Sequence, residues 1–261
     1  MLATRSLLFN ALFYLNLVVL MIVGLPTIVF GRRAVFALAR LWGAISVWLL
    51  ETICGLRLEY RGVENIPPGA VLIAVKHQSF LETFALLKYA PDFAIILKRQ
   101  LTYVPLFGLY LIVSQQIAID RGRGRQALQQ IAGAAKPVFA AGRQVFIYPE
   151  GTRRLPGAPP MYKHGAAALY AAANVPCLPV AVNTGLFWRR RGFLRRPGVA
   201  VIEYLPVIEP GLDRVGFSKR LQSTIETACD RLNAEAVAKD PSLAAVVAEG
   251  ANNDTETLRS A

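Results

Sequence analysis

The sequence predicts an α/β fold: a mixed, largely parallel central sheet flanked by helices, preceded by an N-terminal membrane-associated helical hairpin. Three observations predict it. After Tyr60, short apolar runs alternate with longer helical stretches and are bounded by Gly and Pro. Those runs are continuous rather than alternating, as in strands covered on both faces. Before Tyr60 the chain is apolar along most of its length. The expected division is membrane-anchor or interfacial helices over 1–58, an α/β domain over 59–240 and a flexible C-terminal tail over 241–261.

The first element follows from an uncharged stretch. Ser6 to Phe30 carries no charge and would form a helix roughly 37 Å long, enough to cross a hydrocarbon core. It is too long for a signal-peptide core, and no small-x-small cleavage site precedes Gly31-Arg32-Arg33, so an uncleaved anchor is expected. Gly24 and Pro26 are candidate kinks. Arg32, Arg33 and Arg40 follow, against Arg5 alone before the run. The positive-inside bias therefore puts the C-terminal side in the cytoplasm. Ala34–Leu58 is a second apolar helix carrying Trp42 and Trp48, read as interfacial, re-entrant or packed on the domain rather than as a second crossing.

Strands are expected at Val71–Val75, Phe93–Leu97, Gln116–Ile119, Gln144–Tyr148, Cys177–Val182 and Val199–Tyr204. Helices are expected at Phe80–Lys88, Arg125–Ala134, Gly165–Ala173 and Gly216–Val237. Gly250–Ala261 is polar and expected to fray.

Composition narrows the function classes. Of 261 residues, 54% are hydrophobic, and the formal net charge is +12. The isoelectric point is about 10.0 and the mean hydropathy +0.39. A basic, apolar-rich chain suits an anionic membrane surface or an anionic substrate. Nucleic acid fits poorly with the apolar N-terminus, and no zinc-finger, helix-turn-helix or basic-zipper pattern is present. Cys54, Cys177 and Cys229 are scattered without metal-ligand spacing or a disulfide framework, which suggests a reducing compartment.

One of only two histidines, His77, follows the apolar run Val71–Val75, and Glu82 comes five positions later. A strand thus delivers an imidazole to its own end, with a carboxylate in the first turn of the next helix. Imidazole titrates near physiological pH and can take a proton from a substrate hydroxyl. A carboxylate on the other ring nitrogen would fix its tautomer, as in the second half of a Ser-His-Asp arrangement. Ser79-x-x-Glu82 is equally a capping box. The second histidine, His164, sits at an expected helix start and reads as a loop or capping residue.

Tyr148-Pro149-Glu150-Gly151-Thr152-Arg153-Arg154 closes another strand. Pro149 ends it and Gly151 permits a tight turn. The turn presents Glu150, Thr152 and two arginines, whose forks match phosphate oxygens. A solvated basic turn is the alternative. Trp188–Arg196 mixes aromatics with arginines, suiting either a lipid headgroup layer or a basic loop.

Together these segments resemble the 1-acylglycerol-3-phosphate acyltransferase family. That family carries His-x4-Asp, matched by His77–Glu82, and Pro-Glu-Gly-Thr-Arg, matched by Pro149–Arg153. Its strand running into an arginine matches Ile117-Ala118-Ile119-Asp120-Arg121, and its Val-Pro-x-x-Pro-Val strand matches Val175–Val180. Lys98-Arg99-Gln100-Leu101 followed by Pro105-Leu106-Phe107-Gly108 is a further match. The resemblance covers Leu58 to Pro210, and 59–240 becomes the expected glycerolipid acyltransferase domain. Glu82 departs from the usual Asp and adds a methylene of reach.

The resemblance implies His77 as the base and Glu82 as its orienting acid. It implies Arg121 and Arg153 as phosphate ligands, Glu150 and Gly151 shaping that pocket, Thr152 adding a hydroxyl and Lys98 a further anionic contact. It implies no metal and no cofactor, with acyl-CoA or acyl-carrier protein as co-substrate, and membrane lipids and lysophosphatidate as partners. The expected place is the cell inner membrane or another cytoplasm-facing membrane. Another lysolipid or glycerol 3-phosphate remains open as acceptor, and a non-catalytic lipid-binding protein is the rival from a different class. A hydrolase lacks its nucleophile, since no Gly-x-Ser-x-Gly elbow is present.

Overall fold

The computed structural model describes residues 1–120 and 124–259. Among the described residues, seven strands form one sheet: β1 (Leu56–Arg61), β2 (Val71–Val75), β3 (Phe93–Lys98), β4 (Ile117–Ile119), β5 (Gln144–Ile147), β6 (Cys177–Val182) and β7 (Gly198–Tyr204). Their order is β1-β7-β6-β2-β5-β3-β4. Every neighbouring pair is parallel except β6–β7. Between and around them run α1 (Leu2–Val23), α2 (Arg32–Leu49), α3 (Leu81–Ala85), α4 (Phe107–Val113), α5 (Gly124–Ala140), α6 (Gly165–Ala173), α7 (Arg214–Lys239) and α8 (Ala244–Arg259).

The continuous apolar strands are explained by two covering layers. Along β2, Val71, Ile73 and Val75 pack with Phe13, Phe36 and Phe84 from α1, α2 and α3. Leu72 and Ala74 face Ile131, Leu169 and Ile225 from α5, α6 and α7. All five β2 side chains are therefore buried.

The N-terminal helices depart from the expected single apolar helix over 6–30. α1 ends at Val23, and a short 3-10 turn over Leu25–Ile28 leads towards α2. Gly24 permits the close return: a Cβ there would stand 2.2 Å from a Leu38 methyl and 2.5 Å from the Leu20 carbonyl oxygen. The hairpin does not project from the domain. Phe9 and Phe13 are buried, with Phe13 ring centroids 5.5 Å from Phe84 and 5.9 Å from Trp188. At the other end of α1, the Tyr110 hydroxyl donates to the Met21 carbonyl at 2.7 Å. Held at both ends, α1 lies along the domain and exposes Leu7, Leu8, Leu15, Val18 and Ile22 on its other side. Both hairpin helices remain long and apolar enough to cross a membrane by length and composition.

Three further differences have local causes. β1 starts at Leu56, directly after Gly55 adopts φ +68° and ends the helical turn, so the expected boundary at residue 58 falls inside a strand. Its short, half-buried pattern gives no continuous apolar run. The seven-residue α4 is too short to show a helical period. The expected flexible tail is helical from Ala244 through Arg259, and α8 continues beyond Gly250, where the sequence predicts fraying.

Candidate active site

Because β2, β3, β4, β5 and β6 run parallel, their C-terminal ends share one edge of the sheet, where open α/β sheets place ligands. β2 delivers Lys76 and His77 there, β5 the turn from Tyr148 to Arg153, and β6 the segment Asn183–Thr184.

Glu82 organises this edge. It is fully buried, yet each oxygen is satisfied. Oε1 lies 3.0 Å from His77 Nδ1 and accepts from the main-chain N–H groups of Gln78 and Ser79, both at 2.7 Å. Oε2 accepts from the Thr184 hydroxyl at 2.7 Å. Ser79 Oγ meanwhile accepts from the Leu81 N–H at 3.1 Å. Glu82 thus makes the back-contact to the Ser79 N–H and the histidine contact with the same oxygen, although the N-cap of α3 is Phe80 and carries no side-chain cap bond. With the carboxylate an acceptor throughout, the shared proton is assigned to His77 Nδ1, and Nε2 keeps its lone pair. The ring stacks on Tyr148 at 3.9 Å between centroids, and its side chain is 13% exposed. Burial pushes the Tyr148 hydroxyl well above its ordinary value, with Glu82 adding to the shift.

The turn after β5 is tied to this corner. Gly151 takes φ +68°, and its N–H donates to the Tyr148 carbonyl at 2.9 Å. The Arg154 N–H donates to the His77 carbonyl at 2.8 Å. Arg153 donates through Nε to the Ser79 carbonyl at 3.1 Å, with its guanidinium 5.1 Å over the Phe80 ring. Thr152 is exposed beside it. Lys98 is exposed at the end of β3, with β5 between it and β2. Arg121 lies outside the described residues.

Glu150 has a different place from the pocket wall implied by the motif. It is 2% exposed and turned inward. Both its oxygens lie 3.2 Å from Lys76 Nζ, and Oε1 accepts from the Met161 N–H at 3.1 Å. Lys76 Nζ also donates to the two Glu226 oxygens at 2.8 and 3.0 Å, and the Tyr162 hydroxyl donates to Glu226 at 2.8 Å. Burial would lower the Lys76 ammonium, but Glu150 and Glu226 outweigh it and hold Lys76 above its ordinary value. Glu150 thus braces the turn and the end of β2 from beneath. A buried ammonium needs such partners, since an unpaired charge in the interior is costly.

Thr184, Lys76 and Glu226 were not singled out in the sequence. Lys76 carried one signal: a charge between a fully apolar strand and a histidine requires a buried acid. Nothing local marks Glu226 as that acid or Thr184 as the partner of Glu82. The three cysteines are buried, and burial raises each thiol, Cys229 to about 12. None is suited to act as a nucleophile. The site can therefore deprotonate a ligand hydroxyl at Nε2, without calling on a cysteine nucleophile.

Residues 57–183 match the acyltransferase family model. The chain is 37% identical over 195 residues to a 1-acyl-sn-glycerol-3-phosphate acyltransferase of Pseudomonas aeruginosa, covering 75% of this chain and 74% of that protein. It is 29% identical over 158 residues to the mouse 1-acyl-sn-glycerol-3-phosphate acyltransferase alpha, covering 59% of this chain and 55% of that one. In fold it is similar to the crystal structure of the 1-acyl-sn-glycerophosphate acyltransferase PlsC from Thermotoga maritima. The TM-score is 0.73 at 21% identity, over 89% of this chain and 98% of that chain. This chain therefore belongs to the acyltransferase family, alongside the 1-acyl-sn-glycerol-3-phosphate acyltransferases.

Proposed function

We propose that the protein transfers an acyl chain from a thioester donor, acyl-CoA or acyl-carrier protein, to the 2-hydroxyl of 1-acyl-sn-glycerol 3-phosphate, giving phosphatidate. The observation that carries this reading is the His77 ring itself, with Nδ1 held by a saturated, buried Glu82, while Arg153 is bonded to the Ser79 carbonyl two residues on from the histidine.

In the reaction Nε2 takes the proton of the acceptor hydroxyl as the oxygen attacks the thioester carbonyl. The tetrahedral intermediate collapses, the C–S bond breaks, and the imidazolium returns its proton to the leaving thiolate. Glu82 stabilises the imidazolium, and Thr184 holds Glu82 in place. Arg153 receives the acceptor's phosphate, since an arginine fork matches phosphate oxygens. Lys98 supplies further positive charge from the end of β3, and Arg121 is assigned to the phosphate on the strength of its motif alone. Thr152 offers a hydroxyl at the exposed edge of the turn. Gly151 and Glu150 shape the turn, Glu150 through Lys76.

The exposed apolar side of α1 and the net charge of +12 support attachment to an anionic, cytoplasm-facing membrane. A helix held to the domain at both ends favours an interfacial position over a crossing. The test is acyl transfer by purified protein with lysophosphatidate and labelled acyl-CoA. Phosphatidate should form with wild type and not with His77→Ala, while both sediment with vesicles. Near wild-type turnover in His77→Ala would refute the mechanism.

A further inference from the structure

Beside the catalytic turn lies a cavity of about 620 Å³, within the size range of small-molecule sites. Arg153, Arg154, Arg189, Arg190, Arg191 and Arg196 line it, against one acid, Glu249, which pairs with Arg189. Most of these arginines come from the loop joining β6 to β7, beyond the residues matched by the family model. The loop is built around a buried cation. Arg195, 6% exposed, lies 3.9 Å over the Trp188 ring. Its Nη1 donates to the carbonyls of Gly192, Phe193 and Leu194 at 2.8, 3.0 and 3.2 Å, and its Nη2 to Asn10 of α1 at 2.8 Å. Arg190 donates to the Arg153 carbonyl at 2.9 Å, which joins the loop to the catalytic turn. The rim cations are thus mounted on a fixed backbone.

We infer that this cavity binds the phosphates of a CoA-type acyl donor. The inference rests on the acyl-transfer reading and deepens it by choosing the donor. Charge supports the choice. An acceptor phosphomonoester carries a charge of about −2, which Arg153 and its neighbours in the turn suffice to meet. Arg190, Arg191 and Arg196 remain, and the diphosphate and 3′-phosphate of a CoA thioester supply the matching anions. Shape supports it as well. A concave cavity admits a nucleotide, whereas a folded carrier protein needs about 800 Å² of surface on each partner. Phe193 lines the cavity and is half exposed, offering a ring face for a purine. The Arg154 N–H bonded to the His77 carbonyl puts one wall of the cavity next to the histidine's main chain, a separation that the flexible arm of a CoA thioester can span.

The experiment uses the full chain in mixed micelles with lysophosphatidate, comparing wild type with an Arg190→Gln/Arg191→Asn variant. Asn suits the left-handed φ of +58° at position 191. The KM for acyl-CoA should rise about tenfold, as loss of charge-assisted bonds predicts. The KM for lysophosphatidate should stay within about twofold, because those contacts are untouched. Adenosine 3′,5′-bisphosphate should compete with acyl-CoA in wild type and lose about tenfold in potency in the variant. Wild type should prefer acyl-CoA to its 3′-dephospho form, and the variant should not. Phe193→Ala is the second variant, with the same donor-only direction. An unchanged donor KM in both variants overturns the assignment. So does an equal rise for both substrates that follows lost sedimentation with phosphatidylglycerol vesicles, which would assign the loop to lipid headgroups. Should wild type transfer no acyl group at all, the acyl-transfer reading falls. Calorimetric titration with the bisphosphate then still decides the cavity: saturable binding lost in the variant upholds an anion site, and no binding overturns it.

Discussion

The His77 corner and the arginine loop stand on either side of the turn at Arg153, and they are built in opposite ways. In the corner, the functional side chains themselves are locked: one buried carboxylate takes four donors, and a lysine beneath it is matched by two glutamates. In the loop, the backbone is locked by Arg195 while Arg190 and Arg191 stay exposed. The difference fits the tasks proposed for them. A base must meet one hydroxyl in one orientation, so its rotamer is fixed before substrate arrives. A cation that captures a mobile anion needs position and charge but gains little from a dry environment, where its own desolvation would cost more than the pairing returns.

This contrast can be broken by substitution, and the largest effect belongs to the corner. His77→Ala should lower kcat by about 1,000-fold, the scale of general-base catalysis. A loss of only a few fold would mean that another group takes the proton. Lys76→Met comes next. It leaves Glu150 and Glu226 facing each other without their cation and should cost about 3 kcal/mol of stability, read by denaturant unfolding. Lys76 is held above its ordinary value of 10.5, so its contribution is complete below that pH and is lost as pH rises through the folded-state value. The stability gap between wild type and Lys76→Met should therefore be flat around neutrality and narrow in strong alkali. A gap that widens with alkali would contradict the pairing.

Thr184→Val should be milder. It removes one hydrogen bond to a buried carboxylate and should reduce kcat about tenfold with little change in KM, while Thr184→Ser restores it. Failure of the serine to rescue would reduce Thr184 to a packing residue. The smallest effect is expected away from both regions. Arg57 and Glu51 pair at 3.1 Å, but their side chains are 72% and 49% exposed. Arg57→Ala should change stability by less than about 1 kcal/mol. A larger loss would blur the distinction between saturated and exposed charges.

Much of this was legible in the chain. β2, β6 and α6 have the bounds expected from their apolar runs. Continuous burial leaves a clear signature when a strand is covered on both faces. His77, Glu82 and Arg153 were singled out, and the fold gathers them at one sheet edge. β1 was missed because a half-buried six-residue edge strand has no run to detect. Glu150 was placed against the ligand because a motif shows which residues share a turn but not which way each points. In a tight turn, successive side chains diverge, and Glu150 goes inward while Thr152 goes to solvent. α1 was read as one long apolar helix because composition measures hydrophobicity and not its partner. Phe9 and Phe13 meet the domain, and Leu7, Leu8 and Leu15 do not.

By itself the sequence determined what is local: which apolar runs are buried strands, where a histidine leaves one of them, and which carboxylate follows it in the first turn of the next helix. Only the tertiary structure decided the long-range partners. Thr184 is 102 positions from Glu82, and Glu226 is 150 from Lys76. These pairs meet because β6 and β5 flank β2 and because α7 crosses behind it. Strand order is a property of how all the layers bury their apolar faces at once, and no single segment of this chain carries it.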